Sequence, residues 1–425
     1  MIAKMALRWL RSSLVAAALA LSACQTIPYE RPGGLPPAVQ VADGSAGRAA
    51  LNARVYDQAV RYVERLFYSR DFHGTDFAAE AASRRAEAVA QTTELDFYAR
   101  PEQLVEVLGD DHTQTLSPTR RERLAANDAG AQRLAYGVVM LPRGDERWVL
   151  RVRPDSLAEE AGVMPGWKIE SINGASPHLG SVAREDRADR FVFLDEVGER
   201  HQIELTGVLM DPLPRMEARR LEGDIAYIRF DDFDRETFDW YKGEFDALAQ
   251  APPAGLIVDL RSNGGGSLNL TGLMLSYLFD RRIDFAVTQG RFINRIYNVE
   301  PPERPYLGPV VILVGSASAS GGELYPAVAR ELDRAVIVGE PTRGAVIASR
   351  LVELPDGGGI RIGMTDMTTP AGIRLEKTGV TPDIVLDTDW SEIRAGRDPG
   401  LTIAVAQIER LRAEAAERPA TPPPA

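Results

Sequence analysis

The spacing of apolar residues changes twice along this chain, and each change predicts a different kind of structure. Between residues 51 and 126 apolar side chains recur every three or four positions, as in amphipathic helices. We expect one helix from Leu51, a second over 76–89 and a third over 101–108. The first part of the chain therefore predicts a small helical domain, 51–128.

From residue 134 the period shortens to two, and after Met216 strands alternate with helices. Short strands are predicted in YGVVMLP, RWVLRV, KIESING and RFVFLD, with one short helix at 157–161. Further strands are expected at 225–230, 254–260, 309–315 and 335–340, and helices at 235–248, 268–278 and from the serine-rich loop to about residue 332. Apolar strands separated by helices predict an α/β core with a mostly parallel sheet.

Three unusual loops follow strands of this core. DLRSNGGGSL follows the strand ending at Asp259, GSASASGGE the strand ending near Gly315, and GEPTRGA the strand ending near Gly339. If the strands are parallel, all three loops lie at their carboxyl ends, where open α/β sheets bind ligands. We therefore expect a site assembled from these loops.

The second loop offers a candidate nucleophile at the start of a helix, where free N–H groups favour developing negative charge. Alternation places Ser316, Ser318 and Ser320 on one side, so geometry alone does not choose between them. Ser320 is nearest the helix and precedes two glycines. Pro326 must lie in the first turn or kink the helix. The alternative is a Ser/Gly-rich turn that only caps the helix.

The N-terminus predicts secretion. A basic start, an apolar run from Leu14 to Leu21 and the ending LSAC predict a signal peptide over 1–23, too short in its apolar part to span a membrane stably. The ending resembles the bacterial lipobox, which implies cleavage before Cys24 and lipidation of its sulfur; a plain signal peptide is the alternative. Because Gln25 rather than Asp follows, resemblance to lipoproteins implies the outer membrane.

Cysteine content, charge and motifs restrict the classes of function. Cys24 is the only cysteine, so neither an intramolecular disulfide nor a thiol nucleophile is expected. Residues 24–50 predict a flexible tether and 411–425 a Pro/Ala-rich tail. The net charge of −12 argues against nucleic-acid binding. No cluster has metal-ligand spacing and GGGSLN lacks the G-K-[ST] of a phosphate loop, so no metal or other cofactor is predicted.

The segment VRPDSLAEEAGVMPGWKIESING, with its flanking strands, resembles a PDZ domain over 131–213. Trp167 departs from the pattern, because an acidic residue is usual there. The resemblance implies that backbone N–H groups of the turn Ala135-Tyr136-Gly137-Val138 bind the terminal carboxylate of a peptide, which adds as a strand. The alternative is a domain that only packs against the core.

Four segments together resemble the S41 family of serine peptidases, which includes the C-terminal processing peptidases and the tricorn-like peptidases. They are DLRSNGGGSL, GSASASGGE, GEPTRGA and EKTGVTPDI. The resemblance implies a Clp/crotonase-like core over 214–410 behind the helical and PDZ domains. It implies that Ser320, three residues before Glu323, is the nucleophile. Its oxyanion donors would be the backbone N–H groups of Gly321 and Gly266.

The general base departs from one branch of that family. C-terminal processing peptidases use a lysine that follows the Gly of G-E-P-T-x-G, 25 residues after the serine, where this chain has Ala345. No lysine lies within twenty residues of it, and Lys377, beside Glu376, is expected to be a surface or local pairing residue. Resemblance to the tricorn-like branch implies His112, in GDDHTQTLSP, as base, since neutral imidazole can accept and return a proton. A structural histidine is the alternative.

The group that orients His112 stays open. The tricorn-like branch has a Glu in an E-x-x-G-V-x-P-D segment, which Glu376 matches, and a serine before the histidine, where this chain has Asp111. Glu376 as a surface carboxylate is the alternative. The remaining histidines lack a motif and are expected to be structural or on the surface: His73, His178 and His201.

The prediction is an envelope lipoprotein and serine endopeptidase, facing the periplasm, that hydrolyses protein or peptide substrates with Ser320 and His112. The rival is an inactive S41-like peptide-binding lipoprotein, a scaffold or adaptor, motivated by the missing lysine. A third hypothesis, other chemistry on a crotonase-like core, leaves the PDZ-like region without an evident purpose.

Overall fold

The computed structural model describes residues 38–417, apart from 111, 123–131, 144–145, 176, 178–186 and 292–293. Within these residues the chain is a mixed α/β protein with several sheets, as predicted. Its helices α1 to α9 are Arg48–Leu66, Phe77–Val89, Glu94–Glu106, Leu157–Glu160, Arg235–Gln250, Leu268–Ser276, Gly321–Glu331, Trp390–Arg394 and Pro399–Glu417. Short 3-10 turns are Phe72–Gly74 and Glu222–Asp224.

The strands follow in chain order from β1 to β18. They are Gln114–Leu116, Arg133–Ala135, Val138–Arg143, Glu146–Val152, Lys168–Ile172, Ala188–Leu194, Arg200–Thr206, Val208–Met210, Met216–Leu221, Ile225–Phe230, Gly255–Asp259, Ile283–Gly290, Asn294–Val299, Val310–Val314, Val336–Gly339, Ala348–Glu353, Gly359–Thr368 and Ile384–Val385.

Helices α1 to α3 form the predicted helical region, with one boundary that the sequence analysis placed wrongly. The side chain of Asp76 caps α2 by accepting the Ala79 N–H. Helix α3 begins at Glu94 rather than at Pro101, because the Thr93 side chain caps it by accepting the Asp96 N–H. Pro101 lies inside that helix, so its preference for a first helical turn was misleading here.

The helical region shares its apolar core and a sheet with the C-terminal half. Ile360 and Ile362 of β17 are fully buried in the same cluster as the α1 to α3 side chains. Strand β1 pairs antiparallel with β17, with Gln114 opposite Arg361. This pairing holds the loop that carries His112 against the core.

The middle of the chain forms two antiparallel sheets of its own, β3-β4-β5-β6-β7 and β2-β8. The short helix α4 is capped by Ser156, whose hydroxyl accepts the Glu159 N–H. Trp167, at the position where an acidic residue was expected, is buried and stacks on His201 with ring centroids 4.4 Å apart. Trp148 of β4 stacks on Trp390 of α8, which joins these sheets to the C-terminal half.

The central sheet has the strand order β18-β15-β14-β11-β10-β9, and every pair except β10 with β9 is parallel. This confirms the mostly parallel core. Apolar side chains of α5, α6 and α7 pack on one face, while Ala404 and Ile408 of α9 cover the other. Pro326 lies within α7 beyond its first turn, so the first of its two expected positions is excluded.

Candidate active site

The three glycine-rich loops meet at one edge of the parallel sheet, as the strand pattern predicts. Strand β14 pairs in parallel with both β11 and β15, so the loops that follow these strands lie side by side. They border a cleft of about 490 Å³. Among the residues lining it are His112, Gly264, Gly266, Ser320, Gly321 and Ala345.

Ser320 is the N-cap residue of helix α7 and has a strained backbone conformation. Its φ of 54° is in the left-handed region, which costs a residue with a side chain about 1–3 kcal/mol. Its N–H donates to the Ala345 carbonyl at 2.8 Å and to Glu323 Oε2 at 3.1 Å. A Cβ on Gly265 would lie 2.6 Å from the Ser320 Cβ, so only glycine allows this close approach. These contacts hold the turn that presents Ser320 to the cleft.

The other two serines of the loop are directed elsewhere. Ser318 is fully buried, donates its hydroxyl to the Leu260 carbonyl at 2.7 Å and accepts the Gly315 N–H at 3.0 Å. The Ser316 hydroxyl is buried and has no hydrogen-bond partner among the described residues. Of the three, Ser320 alone lines the cleft in the described part of the chain.

Glu323 is a positioning residue whose contacts the sequence analysis missed. Its carboxylate is fully buried and accepts four hydrogen bonds, which tie α7 to the GEPTRGA loop. The donors are the Ser320 N–H, the Thr342 hydroxyl, the Gly344 N–H and the Ala345 N–H. Burial raises the pKa of Glu323, and these donors oppose that rise. The sequence signal was its fixed place three residues after the serine.

In the Gly264–Gly266 loop, two of the three backbone N–H groups are used in hydrogen bonds within the protein. The Gly264 N–H donates to the Asp231 carbonyl and the Gly265 N–H to Asn263 Oδ1. Gly266 forms a parallel bridge with Phe233 through its neighbours, and its own N–H has no acceptor in the described part of the chain. A Cβ on Gly265 would lie 3.1 Å from the Gly321 nitrogen. Gly266 and Gly321, which carry the two predicted oxyanion donors, both line the cleft with Ser320.

The histidine loop reaches the cleft through long-range contacts. Asp110 is buried and accepts the His112 N–H at 3.1 Å and the Thr113 hydroxyl at 2.5 Å. The Thr113 hydroxyl in turn accepts the Gly363 N–H at 3.0 Å. This network fixes the His112 backbone on β17, and the imidazole lines the cleft together with Ser320.

Glu376 lies beside the imidazole and is not a surface carboxylate. Its side chain is buried, and its Oε2 lies 3.9 Å from His112 Nε2. The same oxygen accepts the Val346 N–H at 2.8 Å. Burial raises the pKa of Glu376, while this N–H and His112 act to lower it. Asp111 lies outside the described residues.

The position expected for a lysine base holds a methyl group at the cleft. Ala345 is buried, and its carbonyl and N–H bind Ser320 and Glu323. Lys377 is exposed, and its backbone N–H donates to the Gly344 carbonyl. The ammonium group of Lys377 does not line the cleft.

Comparison with known proteins identifies the core that carries these loops. Residues 224–386 match Peptidase family S41. This segment is a peptidase S41 domain. Its family hydrolyses peptide bonds, and the recognition made from the sequence motifs is confirmed.

The chain is similar to curated peptidases along most of its length. It is 26% identical over 367 residues to the chloroplastic C-terminal processing peptidase of Tetradesmus obliquus, covering 78% of this chain and 76% of the relative. It is 24% identical over 303 residues to the carboxyl-terminal-processing protease of Synechocystis, covering 68% and 71%. The solved photosystem II D1 C-terminal processing protease matches with a TM-score of 0.60 at 24% identity, over 79% of this chain and 93% of that one. This likeness shows a shared fold.

The other predicted site residues lie outside the S41 domain. In the turn Ala135-Tyr136-Gly137-Val138, the Tyr136 ring is buried and donates its hydroxyl to Asp189. The Gly137 carbonyl accepts the Arg153 N–H at 2.8 Å. Cys24 and His178 lie outside the described residues.

Two further observations bear on metals and membranes. The His73 Nδ1–H donates to the Leu108 carbonyl at 2.7 Å. His201 lies 3.0 Å from Asp195, and these two residues and Glu199 have ligand atoms close enough together to share a metal ion. This group lies at the β6–β7 turn and not in the cleft. None of the helices within the described residues has the length and apolarity needed to cross a bilayer.

Proposed function

We propose that this S41 protein is a serine endopeptidase of the Ser/His type. The observation that carries the proposal is the convergence of Ser320, His112, Gly266 and Gly321 on one cleft. A hydroxyl nucleophile, a titratable acceptor and two backbone N–H groups are the parts that acyl transfer needs.

In the proposed reaction Ser320 Oγ attacks the scissile carbonyl while His112 accepts its proton. The N–H groups of Gly321 and Gly266 stabilise the oxyanion, with the N-terminal dipole of α7 adding to the effect. The protonated imidazole then donates to the leaving amine, which releases the first product and leaves an acyl-enzyme. Water, deprotonated by the same imidazole, hydrolyses the ester and regenerates Ser320.

Glu376 orients His112 and stabilises its protonated form in this proposal. The 3.9 Å gap between Glu376 Oε2 and His112 Nε2 is longer than a hydrogen bond. Catalytic hydrogen bonds often shorten when substrate binds, so a small rotation of the imidazole closes the contact. The role of Glu376 is to pair with the imidazolium that forms during attack.

The proposal includes the regions around the S41 domain. The PDZ-like region over 131–213 binds a peptide end at the turn Ala135-Tyr136-Gly137-Val138 and delivers the chain to the cleft. Lipidation at Cys24 anchors the protein in the envelope, facing the periplasm. Relatives named as carboxyl-terminal-processing proteases support a protein or peptide as the substrate.

The experiment compares cleavage of a permanently unfolded protein by wild type and by Ser320→Ala. We expect fragments from wild type alone, with the cut sites read by mass spectrometry. Equal cleavage by both proteins would remove Ser320 from the mechanism.

A second function, an inactive peptide-binding protein, is favoured by the methyl group of Ala345 where a base could stand. Fluorescence polarisation of a labelled unfolded peptide separates it from the enzyme. A folded wild type that binds this peptide tightly and never cleaves it supports the binding protein.

A further inference from the structure

The cleft beside Ser320 is positively charged although the protein as a whole is acidic. The chain has 61 acidic and 49 basic residues. The ionisable side chains that line the cleft are nevertheless Arg343, Arg361 and His112, and no carboxylate lines it in the described part of the chain. The sign of charge in the cleft is therefore opposite to that of the protein.

Neither arginine is used to hold the fold together. Within the described residues, neither the Arg343 nor the Arg361 guanidinium makes a hydrogen bond or an ion pair. Elsewhere in the same half of the molecule, Arg261 binds two carboxylates and Arg374 binds one. The cleft arginines thus keep their five donors each for another group.

The backbones that carry these arginines are held in place. The Arg343 N–H donates to the Ser318 carbonyl at 3.0 Å, and the residues on both sides of it donate to Glu323. Arg361 lies in β17 opposite Gln114, which lines the same cleft. Both arginines are therefore attached to fixed backbone positions at the cleft.

The other part of the cleft is apolar and lies next to the nucleophile. Leu268 begins α6, Leu324 is in the first turn of α7, and Met367 belongs to β17. A Cβ on Gly321 would lie 2.5 Å from Thr271 Oγ1, so α6 closely abuts the residue after Ser320. An apolar surface therefore lies in the cleft next to Ser320.

We infer that the cleft selects peptides with an apolar residue at the scissile bond and a carboxylate within reach of Arg343 and Arg361. The inference rests on the proposed peptidase function and adds a substrate class to it. Guanidinium groups bind carboxylates through paired, charge-assisted hydrogen bonds. The carboxylate can belong to an acidic side chain or to the C-terminus of the peptide. Arg343 occupies the variable position of G-E-P-T-x-G, where specificity can change without altering the framework.

The test uses four peptides with one apolar cleavage segment. Two carry Asp and two carry Asn at the same neighbouring position, and each pair is made with a free or an amidated C-terminus. Cleavage by wild type, Arg343→Gln and Arg361→Gln is measured as kcat/KM. Arg281→Gln, an exposed arginine outside the cleft, is the matched control.

We expect wild type to prefer one carboxylate-bearing form over its amide by about 10- to 100-fold, the range for hydrogen bonds to charged groups. The Asp/Asn pair and the free/amidated pair show which carboxylate is bound. Both cleft variants lose much of the preference, and circular dichroism spectra that match wild type show that they remain folded. Arg281→Gln keeps the full preference.

The inference is overturned if wild type shows no preference for either carboxylate, or if both cleft variants keep it. If none of the peptides is cleaved, binding of the same four to Ser320→Ala, with and without each arginine change, decides. A carboxylate preference in binding that requires the arginines supports this inference while the peptidase proposal fails. Binding without such a preference rejects the inference.

Discussion

The proposed nucleophile, Ser320, and its proposed base, His112, are held in place by different kinds of contact. Ser320 is fixed locally, since Glu323 and Ala345 both lie within 25 residues of it and bind its N–H. His112 lies 208 residues before the serine and reaches the cleft only because β1 pairs with β17. A peptidase can therefore keep one half of its chemistry in a rigid motif and assemble the other half by tertiary pairing.

The largest effect is expected from Ser320→Ala, which removes the nucleophile and leaves the helix start in place. We expect kcat/KM on a cleaved peptide to fall by about 10⁴-fold or more. Ser318→Ala is the matched control, because it should retain activity while losing about 1–3 kcal/mol of stability through two broken buried hydrogen bonds. If Ser318→Ala abolishes activity in a folded protein and Ser320→Ala does not, the nucleophile has been assigned to the wrong serine.

His112→Ala tests the proposed base, which reaches the cleft through the pairing of β1 with β17. Loss of a general base typically costs 10²- to 10⁴-fold, so we expect kcat to fall by about that factor with little change in KM. His201→Ala, outside the cleft, is the control. Unchanged kcat in His112→Ala would show that the proton goes to another group.

Glu376→Gln keeps the shape of the side chain and removes its charge. We expect kcat to fall by about 10- to 100-fold, because the imidazolium loses its partner. The same substitution should increase folding stability relative to wild type as the pH rises. Burial raises the folded-state pKa of Glu376 above its usual 4.5, so its favourable contribution is complete below that value and is lost as pH rises through the raised pKa.

Denaturant unfolding of wild type and Glu376→Gln measures this second effect. The variant should gain stability relative to wild type as the pH rises from below 4.5. A stability difference that does not change with pH would contradict the buried position of the carboxylate.

Thr113→Val is expected to have the smallest effect and acts on position alone. It removes the hydroxyl that joins Asp110 to the Gly363 N–H, so the His112 loop loses two of its anchors. We expect kcat to fall by about 10-fold while the reactive serine stays accessible, since no contact of Ser320 is touched. If both kcat and the accessibility of Ser320 are lost, the His112 loop and the Ser320 turn are not held independently.

Local patterns predicted the elements of the central sheet well, because buried parallel strands give apolar runs that end in glycine-rich loops. The same loops indicated three candidate serines, and the S41 resemblance implied Ser320. The buried hydrogen bonds of Glu323 give a physical reason for the spacing of that motif. The sequence left the orienting group open because Asp111 stands where the tricorn-like branch has a serine, and because Glu376 beside Lys377 could equally lie on the surface. The fold instead buries Glu376, which accepts the Val346 N–H. The start of α3 was misplaced because the Thr93 side chain caps the helix, and Pro101 lies inside it.

The approach of His112 to Ser320 was beyond local reasoning. It depends on Thr113, held by Asp110, accepting the N–H of Gly363 on a strand 250 residues later, and no periodicity encodes such a contact. The cationic character of the cleft was hidden for the same reason, because Arg343 and Arg361 come from separate elements.

Ser320 is proposed to be a nucleophile that His112 activates. The most direct measurement is the rate at which a serine-directed phosphonate labels the protein, with the modified peptide identified by mass spectrometry. The account predicts one label, on Ser320, that forms in wild type and slows by about 10²-fold or more in folded His112→Ala. No label on folded wild type, or equal rates in the two proteins, would contradict it.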